Sequence, residues 1–325
     1  MKTLRVAIDP WNPDPVVLEK AVAILRRGGL VAFPTETVYG LGADALNPEA
    51  VRGVYRAKGR PSDNPLILHL SRREMAEELA FPDARSRRLM DALWPGPLTL
   101  VLPARSVVPG VTRGGLDTAA LRMPDHPVAA ALIETAGFPL AAPSANVSGR
   151  PSPTDADGVW EDLEGRIDMI LDAGPVSVGI ESTVVDMTAD PPLLLRPGGM
   201  SREVLEGFLG VALAQPDNVS RRRSPGTRYR HYAPFVPVWI WREGAPLPDG
   251  AASEKCGFMG LVPPPGVFGR SLRFDSVENY ARGLFSGFRA LEAAGLQGIV
   301  VQWPPSGGVG LGLRDRIRRA AQASS

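Results

Sequence analysis

One cysteine and three histidines are all that 325 residues supply: Cys256, His69, His126 and His231. A single thiol excludes an internal disulfide and a cysteine-based zinc site, and three imidazoles argue against a histidine-built metal site. Any metal is expected to arrive with a nucleotide. Lysine is scarce as well, with Lys2, Lys20, Lys58 and Lys255 the only ones among 36 basic residues; the bias to arginine carries no functional reading by itself. Charge of one sign is not in excess, and a net charge of +1 makes no demand for nucleic acid. No apolar run approaches the ~18 residues that span a bilayer, and the N-terminal MKTLRVAIDPW lacks the apolar centre of a signal peptide. A cytoplasmic location with no membrane partner is the expectation.

A chain of 325 residues, 44% hydrophobic, is long enough for two domains, each with its own core. Residues Pro15 to Arg27 alternate as an amphipathic helix, with Val17, Ala21 and Ile24 beside Leu18, Val22 and Leu25, and Gly28-Gly29 stops it. Leu30 to Phe33 reads as a buried strand. Asn47 is a good N-cap with Pro48 at the first helical position, and Val51, Val54 and Tyr55 supply the buried stripe. Further strands are expected at Leu66 to Leu70, Leu98 to Leu102, Ala119 to Arg122, Leu140 to Ala142, Met169 to Asp172, Thr183 to Asp186 and Leu193 to Arg196, with helices between them, notably Val128 to Ala136. The pattern is α/β, and the spacing leaves open which strands pair in parallel.

From about Val211 to Pro234 the chain loses periodicity and gains Arg221-Arg222-Arg223, Pro225 and Gly226, a linker composition. A second α/β unit follows: strands Val236 to Trp241, Gly257 to Val262 and Gly298 to Gln302, a helix from about Val277 to Ala294, and a last helix from Leu313. Gly307-Gly308-Val309-Gly310-Leu311-Gly312 tempts a phosphate-loop reading, but the P-loop lysine and the G-x-G-x-x-G spacing are missing, so a structural turn is preferred over a regulatory nucleotide site.

The most informative stretch is Leu30 to Leu70. PTETVYGLG, followed by KGRPSDNPL, is joined in order by WPGPLTLVL, LRMPDHP, APSANVSGRPSPT, ESTVVD, LLRPGG and SPGTRYRHYAP. Together these segments closely resemble the YrdC-like threonylcarbamoyl-AMP synthases, and the last is characteristic of the long form with a linker and a second domain. The resemblance implies a YrdC-like twisted mixed sheet with a large concave site over residues 1–210, a linker or lid over 211–234, and a smaller Rossmann-like α/β domain over 235–325. It implies conversion of L-threonine, bicarbonate and ATP into threonylcarbamoyl-AMP, pyrophosphate and water, with Mg2+ on the nucleotide. The product would feed tRNA threonylcarbamoyladenosine modification through a separate transferase.

Residue by residue, the resemblance places Thr35, Thr37, His69, Arg122, Ala142 and Ser182 around threonine. It places Lys58, Arg60, Asn64, Thr118, Ser144, Asn146, Ser152, Arg196 and Tyr232 around ATP. Each has a plainer alternative. Helix-end cations such as Lys58 and Arg60 complement the dipole of any helix; Thr35 and Thr37 could simply build a turn, and which of them touches threonine stays open. His69 could be a satisfied strand histidine, Ser182 a cap, Arg196 a strand-end surface cation and Arg122 half of a salt bridge, although a guanidinium fork suits an α-carboxylate in a way lysine cannot match. Ser144, Asn146 and Ser152 could be ordinary loop residues; the G-x-S-x-G elbow of a serine hydrolase is absent and no covalent nucleophile is expected. In the linker, Arg228, Tyr229, Arg230, His231 and Tyr232 combine cations with aromatics, which suits a lid over a nucleotide or contact with RNA.

Two rival functions remain at this level. A double-stranded RNA (or tRNA) binder would use the same concave basic surface without catalysis. A carbamoyltransferase of the hydrogenase-maturation type shares a YrdC-like domain, but its zinc-finger cysteines are not here.

Overall fold

Ten strands drawn from the first two thirds of the chain join one mixed sheet: β1 (Leu4–Ala7), β2 (Val31–Phe33), β3 (Gly40–Asp44), β4 (Ile67–His69), β5 (Leu98–Pro103), β6 (Thr118–Arg122), β7 (Leu140–Ala141), β8 (Met169–Asp172), β9 (Thr183–Asp186) and β10 (Leu193–Arg196). Their order is β1-β8-β2-β3-β7-β4-β6-β5-β9-β10. The computed structural model describes residues 2–217, 220–224, 232–249, 251 and 253–322. The pairs β1/β8, β2/β8, β4/β6 and β5/β9 are parallel, and the remaining neighbours are antiparallel.

Local chemistry fixes the helices that surround the sheet. Asp14 caps Pro15–Arg26 by accepting from Val16 N, and the helix buries Leu18, Ala21, Val22, Ile24 and Leu25. Asn47 caps Pro48–Lys58 by accepting from Glu49 N and Ala50 N, and Gly59 ends it in the left-handed conformation at φ 60°. That sharp ending turns the chain back at once, so Lys58 and Arg60 are both carried inward and buried.

Strand β3 and edge strand β1 were not legible as strands. In β3 the reason is Gly40 and Gly42, poor strand formers by composition. A Cβ on Gly42 would come within 2.8 Å of the Phe33 ring, and one on Gly40 within 3.3 Å of the Ala142 Cβ, so close packing selects glycine there. Helices Glu74–Leu79, Ala84–Leu93, Pro127–Ala136, Ala156–Leu163 and Arg202–Leu209 complete this unit.

The second unit is a four-stranded sheet of β11 (Val238–Trp241), β12 (Cys256–Gly260), β13 (Arg270–Arg273) and β14 (Gly298–Gln302), in the order β11-β14-β12-β13 with every pair parallel. Helices Val277–Ala293 and Gly310–Gln322 serve it. Two glycines in the first turn of the last helix allow close approach: a Cβ on Gly310 would lie 2.2 Å from the Pro305 carbonyl oxygen and one on Gly312 2.8 Å from Gly198. Fold class is therefore as expected, a mixed α/β sheet plus a smaller parallel α/β unit.

The two units share a core. Val38 and Ile180 of the first pack in one cluster with Tyr232, Tyr280, Phe285, Phe288 and Ile317. Ion pairs Arg150–Glu292, Arg289–Asp162 and Arg316–Glu181 cross the same interface. No helix among the described residues is long and apolar enough to cross a membrane.

Candidate functional site

A cavity is lined by Thr35, Val38, Gly40, Arg60, Leu66, Ile67, His69, Arg122, Ala142, Pro143, Ser144, Glu181, Ser182, Arg196 and Tyr232. Strand register explains one wall. His69 ends β4 and Arg122 ends β6, and they are partners across a parallel pair, so both side chains leave the same face of the sheet at one level.

Arg122 is 3% exposed, its Nε donates to the Gly96 carbonyl at 3.3 Å, and its Nη2 lies 2.7 Å from Glu36 Oε1. The His69 Nδ1 sits 3.3 Å from the Ile67 carbonyl, and the ring meets Phe33 edge-on at 6.1 Å. Burial, and then the neighbouring Arg122 charge, push the His69 pKa down to about 3, so the imidazole is neutral at physiological pH.

Thr35 reaches the cavity from the turn after β2. Its Oγ1 donates to the Val38 carbonyl at 2.7 Å and lies 2.8 Å from Thr37 Oγ1. Thr35 thus both builds the turn and faces the cavity, while Thr37 stands behind it. Ser182, just before β9, pairs with Thr99 Oγ1 at 2.8 Å.

At the other side, Arg60 Nη2 donates to the Pro65 carbonyl at 3.0 Å, and burial lowers its pKa to about 10. Arg196 donates to the Ser182 carbonyl from Nη2 at 2.9 Å and from Nε at 3.2 Å. Glu181 accepts from Ser152 Oγ at 2.5 Å and from Arg316 Nε at 2.5 Å. Tyr232 closes this side; it stacks on Phe285 at 5.4 Å and has φ 70°, a left-handed backbone that a non-glycine residue adopts only when its surroundings compel it.

Of the remaining residues singled out from the sequence, Ser144 lines the cavity, while Lys58, Asn64, Asn146 and Ser152 do not. Lys58 Nζ donates to the Ser144 carbonyl at 2.5 Å and to the Asn146 carbonyl, so the ammonium is enclosed by the loop that presents Ser144. Burial, with the Arg60 charge adding, pushes its pKa well down. Ser144 Oγ donates to Asn146 Oδ1 at 2.5 Å, and the Asn146 amide donates to the Val147 and Arg150 carbonyls at 2.8 and 2.9 Å. Asn64 is buried beside Arg60, whose Nη2 lies 3.4 Å from its carbonyl. Thr118 is at the opposite end of β6 from Arg122 and does not line the cavity. Arg228, Tyr229, Arg230 and His231 lie outside the described residues.

Three charged residues of the site were missed from sequence. Glu36 and Glu181 lie inside motifs, PTETVYG and ESTVVD, where the hydroxyls drew attention instead. Arg316 belongs to an arginine-rich helix, RDRIRR, that carries no local signal at all. Among the described residues no group of three His, Cys, Asp or Glu could hold a metal ion.

Comparison with known proteins agrees with this architecture. The family profile described as telomere recombination (Sua5, YciO, YrdC) matches residues 23–198, and that of the threonylcarbamoyl-AMP synthase C-terminal domain matches residues 200–322. The threonylcarbamoyl-AMP synthase of Bacillus subtilis is 42% identical, over 99% of this chain and 98% of the relative. That of Pyrococcus abyssi is also 42% identical, over 98% of this chain and 96% of the relative. The crystal structure of P. abyssi Sua5 complexed with L-threonine superposes with a TM-score of 0.90 at 40% identity, covering 99% of this chain and 98% of that one. Escherichia coli YciO matches 60% of this chain and 95% of its own, with a TM-score of 0.54 at 28% identity. The chain belongs to the threonylcarbamoyl-AMP synthase family, in the form that joins a YrdC-like part to a Sua5 C-terminal part.

Proposed function

We propose that this cavity is where L-threonine, bicarbonate and ATP become threonylcarbamoyl-AMP, pyrophosphate and water. The observation that carries the reading is the convergence in one cavity of a neutral imidazole, small hydroxyls and Arg122 on one wall with Arg60 and Arg196 on another. Threonine is read against the first wall, its carboxylate on the Arg122 fork, with Thr35, Thr37, His69, Ala142 and Ser182 shaping the pocket. ATP is read against the second, with Arg60, Arg196, Ser144 and Tyr232 as contacts and Lys58, Asn64, Asn146 and Ser152 as the frame that holds them.

The threonine amine takes up CO2 equivalents from bicarbonate to give a carbamate and water. A carbamate oxygen then attacks the α-phosphorus, and the bond to pyrophosphate breaks. Positioning and charge neutralisation suffice for such a transfer, with no covalent enzyme intermediate. Mg2+ is read as travelling with the triphosphate, as ATP chemistry requires. We read residues 1–210 as the catalytic domain, 211–234 as linker and 235–325 as the C-terminal domain. Product use requires a tRNA threonylcarbamoyl transferase, and a cytoplasmic setting fits that partner.

The test is incubation with ATP, L-threonine and labelled bicarbonate, with products resolved by mass. Pyrophosphate release is expected only when both co-substrates are present. Serine is expected to be a modestly poorer substrate, since burial of the threonine methyl contributes only ~1 kcal/mol. Equal pyrophosphate release without threonine would overturn the reading.

A further inference from the structure

We propose that Arg316, on the C-terminal helix, is a positioning residue for the nucleotide side of the cavity: by neutralising Glu181 across the interface between the two units, it keeps that carboxylate from repelling the triphosphate and from capturing Arg196. The inference rests on the reading that ATP occupies the wall built by Arg60 and Arg196.

Glu181 is in the cavity wall. One of its oxygens accepts from Ser152 Oγ and the other from Arg316 Nε, each at 2.5 Å. The Arg316 side chain is fully buried, although it comes from the second unit. Its other contacts hold it in place: Nη1 donates to the Pro197 carbonyl at 2.9 Å and to Asp315 Oδ2 at 2.7 Å, and its guanidinium carbon lies 5.2 Å from the centre of the Tyr232 ring, while Nη2 has no hydrogen-bond partner among the described residues. Asp315 is itself braced by Arg319 Nε at 2.9 Å.

The charges that face Glu181 are Arg316 and Arg196, with Lys58 beyond them. Burial pushes the Glu181 carboxyl up, but the Arg316 and Arg196 charges together with the hydrogen bonds from Ser152 and Arg316 hold it below the usual carboxylate range, so it is an anion. Such a group beside a triphosphate is a liability unless something cancels it. Of the two arginines, Arg196 faces the cavity and donates to Ser182, whereas Arg316 is not in the cavity wall. Arg316 therefore cancels Glu181 from behind the cavity wall. Without Arg316 the cavity loses one positive charge, and Arg196 is drawn toward the bare carboxylate.

Steady-state kinetics of the full chain tests this. Arg316→Met is expected to raise KM for ATP by about tenfold or more while leaving KM for threonine within about twofold. Adding Glu181→Gln to that variant is expected to bring KM for ATP back to within about threefold of the parent, because the charge that needed cancelling is gone. A mere strut between the units would behave otherwise. If the double variant is no better than the single one, or if Arg316→Met raises both KM values alike, the proposal is wrong. Should Arg316→Met fail to fold, the double variant, which has no bare buried charge, decides alone: near-parental KM for ATP supports the proposal, and a tenfold rise overturns it. Calorimetry of the parent with ATP separates the two levels. A parent that binds no ATP overturns the reading of the site and this inference with it; one that binds ATP, with Arg316→Met unchanged in KM, overturns this inference alone.

Discussion

Arg122 Nη2 stands 2.7 Å from Glu36 Oε1, and the two side chains are only 4% and 7% exposed. The contact is a charge pair without hydrogen-bond alignment: Arg122 Nη2 and both Glu36 oxygens have no hydrogen-bond partner among the described residues. Glu36 thus keeps the buried guanidinium compensated while leaving Nη2 able to donate to an incoming carboxylate.

Two consequences of removing Arg122 can be separated by experiment. Arg122→Met is expected to weaken threonine binding by about one to two orders of magnitude, through loss of a charge-assisted contact of roughly 1.5–3 kcal/mol. It also strands Glu36, at about 3–5 kcal/mol of stability. Adding Glu36→Gln should restore much of the melting temperature and none of the threonine affinity, as read by thermal melts and calorimetric titration. Recovery of threonine binding in the double variant would remove Arg122 from the substrate.

His69 gives a pH prediction with a definite sign. Its folded pKa, about 3, lies below the ordinary value of 6.5, so the unfolded chain binds the proton first as pH falls. The neutral ring therefore contributes stability that is fully present above about pH 6.5 and is lost as pH drops toward about 3. Between pH 7 and pH 4.5 this amounts to roughly 2–3 kcal/mol. Urea unfolding of His69→Asn should show a correspondingly flatter loss than the parent over that interval. Equal slopes would mean that the imidazole is not held neutral by burial.

Lys58 is expected to act on the loop more than on the substrate. With its ammonium donating to the Ser144 and Asn146 carbonyls, Lys58→Met leaves those buried acceptors short of a donor, at about 1–3 kcal/mol each. A lower melting temperature and a raised KM for ATP are expected together. An unchanged melt with lost ATP binding would instead make Lys58 a direct phosphate ligand.

The C-terminal part can be tested by truncation after Gly210. The cut removes the partners of Asp162 and Glu181 and uncovers Val38 and Ile180, which pack against Phe285, Phe288 and Ile317. The truncated chain should melt lower than the full chain and turn over poorly. Replacing residues 228–232 by Gly/Ser is milder: it removes Tyr232 from Phe285 but leaves the ion pairs across the interface. Activity should fall with a smaller change in the melt, and full turnover would show that the segment is only a tether.

The sequence by itself determined the elements whose signals are local. Asp14 and Asn47 start their helices by accepting from amides two or three residues on, Pro48 helps by its fixed φ, and Gly59 ends one by tolerating φ 60°. Strands β2, β5 and β8, dominated by apolar residues, could be read for the same reason. The ordered motifs also named most of the residues that meet in the cavity, because each is anchored to a turn or strand end that the motif itself builds. Tertiary structure alone decided the rest. Strand β3 exists because Phe33 and Ala142 lie against its glycines, and neither contact is visible from composition. The β4/β6 register that sets His69 opposite Arg122 depends on pairing between segments some fifty residues apart. The Arg122–Glu36 and Arg316–Glu181 pairs are long-range contacts, and although Arg122 could be singled out from its motif, its partner Glu36 and both members of the second pair could not; burial is what turns them into determinants of the site.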